Sequence, residues 1–205
     1  MDDAQLLGTG LREMRASADV NQRQALLQFV RLLQKWNRVY NLTATRGSCE
    51  IIRRHVFDSL TVMPYIEGRR VIDVGSGAGL PGLVLAILCG EREFVLLDAN
   101  ARKTRFMRQA VIEIGLKNAR VCQQRVEQYV PENGFDTVVS RAFAPGGALF
   151  ASVDHLLDRG RVVLMLGREP GLPDLPSGYR LTGMYPARIP GVKTHRHIAT
   201  VEKGA

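Results

Sequence analysis

At 205 residues the chain suits one domain with a large core and a small appendage, since domains run to about 100–200 residues. Its 45% hydrophobic and 23% charged composition, with Gly 20 and Pro 9, excludes collagen-like, low-complexity and disordered classes. Lys+Arg 28 against Asp+Glu 20 leaves a charge of +8, a surplus that attracts polyanions and points to a nucleic acid as partner.

No apolar run approaches the ~20 residues of a membrane span, and MDDAQLLGTG lacks the basic-then-apolar pattern of a signal peptide. A soluble, cytoplasmic protein with no membrane partner is expected. Cys49, Cys89 and Cys122 are odd in number and widely spaced, which fits a reducing compartment.

In chain order, residues 20–40 place Leu26, Phe29, Val30, Leu33, Trp36 and Tyr40 at a helical period, and Arg31, Lys35 and Arg38 line up along another side. Trp36 and Tyr40 suit either the core or stacking on a base, the core being preferred. A second helix is expected from Ser48 as N-cap to about Met63, with Ile52, Val56, Leu60 and Met63 inside and Arg53, Arg54, His55 and Asp58 mostly elsewhere. From Arg70 onward short apolar runs alternate with helical segments: VIDVG, LPGLVLAILCG, FVLLD, RKTRFMRQAVIEIG, ARVCQ, FDTVVS and RVVLML. Such alternation predicts an α/β fold with parallel strands and helices on both faces. Gly115 is expected to cap one helix, and another is expected between Gly147 and Asp158. REPGLPDLPSG reads as a loop, and YRLTGMY and HRHIATVEK as two late strands pairing at an antiparallel edge.

The segment VIDVGSGAGLPG carries glycines at Gly75, Gly77 and Gly79, where backbone approaches a ligand closely or simply turns. A dinucleotide fingerprint needs its third glycine where this chain has Leu80, which argues against a nicotinamide cofactor. Asp98 ends FVLLD, placed either to accept hydrogen bonds from a ribose diol or to sit in a first helical turn. Glu127 suits an adenine contact or a solvated surface, and Arg141 ends the fourth strand at the carboxyl edge. His195 and His197 alternate at a strand start with nothing nearby to complete a ligand set, so no metal is expected.

Together, LLQKWNRVYNLTATR, RRHVFDSL, IDVGSGAGLPG, LLDANARKTRFMRQ, QRVEQY and FDTVVSRAFAP resemble the small-subunit ribosomal RNA guanine-N7 methyltransferases, the RsmG or GidB family, over nearly the whole chain. The resemblance implies a class I S-adenosylmethionine-dependent methyltransferase fold: Rossmann-like, with a mainly parallel seven-stranded sheet and an antiparallel edge strand. Residues 1–66 would form a short N-terminal helical extension and 67–205 the methyltransferase core. It implies S-adenosyl-L-methionine as cofactor, 16S rRNA or the small ribosomal subunit as partner, and N7 of guanosine 527 in the 530 loop as target. Gly75, Leu80, Val126, Glu127 and Arg141 would contact the cofactor, joined by Gly77 and Gly79 of the same loop and, by analogy of fold, by Asp98. This chain has Leu166-Gly167 where many members have a lysine before the glycine, with Arg168 one place on.

Guanine N7 carries a free lone pair at neutral pH, so no catalytic base is assigned. RNA contacts are expected from Arg31, Lys35, Arg38, Arg53, Arg54, His55, Arg102, Lys103 and Arg105, on a target base unpaired or extruded. A methyltransferase acting on another RNA or a small molecule is the alternative. A monomer is expected.

Overall fold

The computed structural model describes residues 2–141, 148–167, 175–193 and 196–204. Five strands run parallel: β1 (Arg70–Val74), β2 (Glu93–Asp98), β3 (Ala119–Gln123), β4 (Thr137–Arg141) and β5 (Gly160–Leu166). They are followed by β6 (Tyr179–Ala187) and β7 (Arg196–Lys203), and the sheet order is β3-β2-β1-β4-β5-β7-β6. The antiparallel edge is made by β7, which runs against both β5 and the outermost strand β6. Strand order reverses between β1 and β4, which opens a crevice at their carboxyl ends.

The strands read as near-continuous apolar runs because both faces are covered. Alternate residues enter two separate cores. Val71, Leu96, Val139, Val163 and Ile198 pack under the larger helical layer, while Ile72, Leu97, Val138, Val162 and Val201 meet Leu149, Phe150 and Val153 on the other face. The larger layer contains α1 (Asp3–Glu13), α2 (Val20–Tyr40), α3 (Ser48–Ile51), α4 (Asp58–Leu60), α5 (Gly82–Leu88) and α6 (Ala101–Ile114); α7 (Ala148–Val153) lies opposite. The late helix is thus where the sequence suggests. No described helix is long and apolar enough to cross a membrane.

Local chemistry explains the helix ends. Asp19 and Gln22 form a reciprocal capping box at the start of α2, and Asn41 closes it in the left-handed region. Gly115, at φ 78°, caps α6 as expected. Trp36 packs edge-on against Phe106 of α6 at 5.7 Å, whereas Tyr40 stays 37% exposed. The helix α1 has no counterpart in the sequence reading; its Asp2–Gln5 capping box starts it and Leu6, Leu7 and Leu11 bury it.

The segment after α2 departs from expectation in three ways. Gly47, not Ser48, is the N-cap, and it offers no side chain to the free N–H groups. The regular helix is interrupted by a π-helical turn, Ile52–Phe57, and α4 ends at Leu60 rather than near Met63. The wider turn shifts the helical phase, so His55 and Asp58 face inward beside Val56 and Phe57 instead of lying off the inner stripe. A uniform 3.6-residue period applied to this segment misplaces both.

Candidate functional site

A cleft of about 390 Å³ lies over the carboxyl ends of β1 to β4. It is lined by Val74 and Gly75 at the end of β1, Leu97, Asp98 and Ala99 at the end of β2, Gln124 to Glu127 after β3, and Ser140 and Arg141 from β4. Parallel strands deliver their last residues to one edge, and the switch between β1 and β4 keeps that edge open. The volume is within the ~300–1,000 Å³ of small-molecule sites.

The glycine loop serves the cleft unequally. Gly75, Gly77 and Gly79 all have positive φ, of 72°, 61° and 75°. Around Gly75 an added Cβ would meet nothing within 4 Å, so its bareness leaves the cleft open. At Gly79 the same atom would fall 2.2 Å from Leu83 Cδ1, so that glycine is required by packing. The Gly77 N–H donates to Asp98 Oδ2 at 2.8 Å and thereby ties the loop to β2. Leu80 is 1% exposed, with its side chain in the core; only its backbone remains to meet a ligand.

Asp98 also accepts from the Asn100 N–H through Oδ1, 2.8 Å away. Two backbone donors fix the plane of the carboxylate, and each oxygen keeps a further lone pair. Lys103 Nζ stands 4.0 Å from Asp98 Oδ2, close to the glycine loop and away from the outer face of α6 that Arg102 and Arg105 occupy. Val126 and Glu127 sit in a short 3₁₀ turn at the cleft wall, Glu127 exposed. Ser140 stands beside Arg141 at the end of the fourth strand, as the sequence suggests, whereas the reading of the residues did not pick out Gln124, Arg125 or Ala99; their positions just after β3 and just after β2 were the available signal.

Behind the cleft, buried polar groups gather. Asp73 Oδ2 accepts from the Gly82 N–H at 2.8 Å, and burial pushes its carboxyl up to about 6. Asp58, 1% exposed, faces Arg141 Nη1 at 3.8 Å and Arg196 Nη1 at 3.0 Å. Burial raises the Asp58 carboxyl while the two guanidinium groups oppose that rise. His55, 8% exposed, is pushed down to about 4, first by burial and then by the charge of Arg141. It therefore lies inside, next to Arg141, and not on the charged surface.

The other basic candidates do lie outside. Arg31, Lys35 and Arg38 are exposed along α2, and Arg54 is exposed but paired with Glu50 at 3.7 Å. Arg53 is half-buried against Gly191. Arg168 and His195 lie outside the described residues.

Residues 22–184 match the family described as rRNA small subunit methyltransferase G. The chain is 48% identical over 200 residues to the ribosomal RNA small subunit methyltransferase G of Methylococcus capsulatus, covering 96% of this chain and 97% of the relative. The protein of the same name from Nitrosococcus oceani is 46% identical over 94% of this chain and 92% of its own. Among solved structures, a SAM dependent methyltransferase from Aquifex aeolicus superposes with a TM-score of 0.58 at 16% identity, over 75% of this chain and 93% of that one. The glycopeptide N-methyltransferase MtfA complexed with S-adenosylmethionine gives 0.58 at 13% identity, over 74% and 87%. Likeness at such identities is one of fold.

Proposed function

Because this chain belongs to the rRNA small subunit methyltransferase G family, and so to the methyltransferases of small-subunit ribosomal RNA, we propose that it methylates N7 of a guanine in the 530 loop of 16S rRNA, guanosine 527, with S-adenosylmethionine as donor. The observation that carries this reading is the cleft itself. It pairs a fixed carboxylate, Asp98, with a cation, Arg141, across the switch point of a parallel sheet.

The residues present fit such a cofactor. Asp98 has lone pairs left for two ribose hydroxyls, Gly75 leaves room for close approach, and Arg141 offers a guanidinium to a carboxylate. Val126 and Glu127 would receive the adenine, Glu127 through its exocyclic amine. S-adenosylmethionine, when bound, supplies a methyl group on a sulfonium as the electrophile. Guanine N7 needs no proton removed before it attacks, so the protein's task is to align the two, an effect that reaches ~7–11 kcal/mol in well-oriented systems.

RNA would be held by Arg31, Lys35 and Arg38 of α2 and by Arg102 and Arg105 of α6, exposed on two helices that pack against each other. These contacts go to phosphates, which position the strand without reading its sequence. The test is to incubate the protein with methyl-labelled S-adenosylmethionine and small subunits lacking the modification, then map the label. Label on N7 of that guanine is expected. Label on another base, or none on RNA, refutes the reading.

A further inference from the structure

The residues behind the cleft come from three distant parts of the chain. Asp58 starts α4 after the π-helical turn, Arg141 ends β4, and Arg196 begins β7. Because β7 is antiparallel, its first residues lie at the same sheet edge as the last residues of β5, where Leu166 faces His197. The two arginines thus reach one carboxylate from two strands. Within the described residues no other carboxylate stands within 4.0 Å of either guanidinium. Both guanidinium groups share the one oxygen, Asp58 Oδ2, with Arg141 the more distant of the two, and Arg141 lines the cleft on its other side, where it keeps N–H donors for a ligand.

From this geometry we infer that Asp58 is a positioning residue: it holds the Arg141 guanidinium in place before the ligand arrives, so that its remaining N–H groups already face the carboxylate of the cofactor's amino-acid tail. This rests on the reading of the cleft as the S-adenosylmethionine site. An arginine free to change rotamer loses that freedom on binding, and the loss subtracts from affinity. Asp58 imposes the order during folding instead. The π-helical turn is what allows it, since it brings Asp58 inward on a segment whose next residues, Ser59 and Leu60, are also buried. Unusual helical turns of this kind recur at functional sites.

The test is a double-mutant cycle on binding of S-adenosylhomocysteine, read by calorimetry, with Asp58→Asn, Arg141→Ala and the pair. Asp58→Asn keeps the shape and removes the charge, and roughly tenfold weaker binding is expected. In the Arg141→Ala background the same change should do nothing further, because a residue acting only through Arg141 has no remaining route. A purely structural Asp58 would instead add its full effect in both backgrounds, which overturns the inference, as does unchanged affinity in a folded Asp58→Asn. If the wild type binds no S-adenosylhomocysteine, the cofactor reading falls and takes the inference with it; normal wild-type binding with an additive cycle removes the inference alone. Should Asp58→Asn fail to fold, the wild type decides. Its Arg141 Nη–H resonances, observed without ligand, are expected to be separately resolved because Asp58 beside Nη1 slows rotation of the guanidinium, and a single averaged signal overturns the proposal.

Discussion

Asp98 does two things at once: it anchors Gly77 of the loop and presents its remaining lone pairs to the cleft. Asp98→Ala should therefore weaken S-adenosylhomocysteine binding on the order of a hundredfold, two charge-assisted hydrogen bonds being lost. Calorimetry checks this, and wild-type affinity in the variant would remove Asp98 from the site. His55 and Asp73 titrate with opposite sign. The His55 pKa is depressed, so its contribution to stability is complete above about 6.5 and is lost as pH falls toward 4, about 3 kcal/mol in all. That of Asp73 is raised, so its contribution is complete below 3.8 and is lost as pH rises toward 6, again about 3 kcal/mol. Between pH 4 and 6 the two slopes oppose each other in the wild type. Asp73→Asn should unmask the histidine, losing about 3 kcal/mol more than wild type from pH 6.5 to pH 4 in urea unfolding. His55→Gln should show the reverse, and parallel profiles for all three proteins would contradict both assignments.

Elements divide by how far a local pattern determines them. The two glycines at the ends of the G-x-G-x-G loop read alike in sequence but differ in their surroundings. Gly79→Ala drives a methyl into Leu83 at positive φ and should cost about 1–3 kcal/mol of stability. Gly75→Ala carries the positive-φ strain too, about 1–2 kcal/mol, but its methyl meets no atom and stands at the cleft, so ligand affinity should fall there and not at Gly79. Denaturant titration alongside calorimetry separates the two, and matching effects at both positions would contradict the division. The alternation of strands and helices was legible because strands buried on both faces show as unbroken apolar runs, FVLLD and RVVLML among them. The capping of α6 by Gly115 was legible for a similarly local reason. The π-helical turn was not, since its sequence IRRHVF has no signature and the widened turn is stabilised only by what it packs against. Nor was the approach of Arg196 to Asp58, a contact across 138 residues that depends on the direction of β7. The cleft-lining residues at strand ends could be found one strand at a time; the group behind them could not.

For the whole molecule, the charge of +8 is the lever on RNA. If Arg31, Lys35 and Arg38 contact phosphates, replacing all three with glutamine should weaken RNA binding uniformly across sequences and flatten the logarithmic salt slope by about 1 per contact. Filter binding from low to moderate salt measures this, and an unchanged slope would place the RNA elsewhere. Sheet order has a consequence for how the protein is made. A ribosome releases β6 before β7, yet β6 pairs with β7 alone, and β7 separates it from β5. The outermost strand must therefore wait, unpaired, until the following one has threaded in beside β5. Synthesis interrupted within that interval would strand two ribbons rather than one. Because Arg196 opens β7, the same late event delivers the second partner of Asp58, so maturation of the sheet's far edge and completion of the buried charge cluster behind the cleft coincide in time.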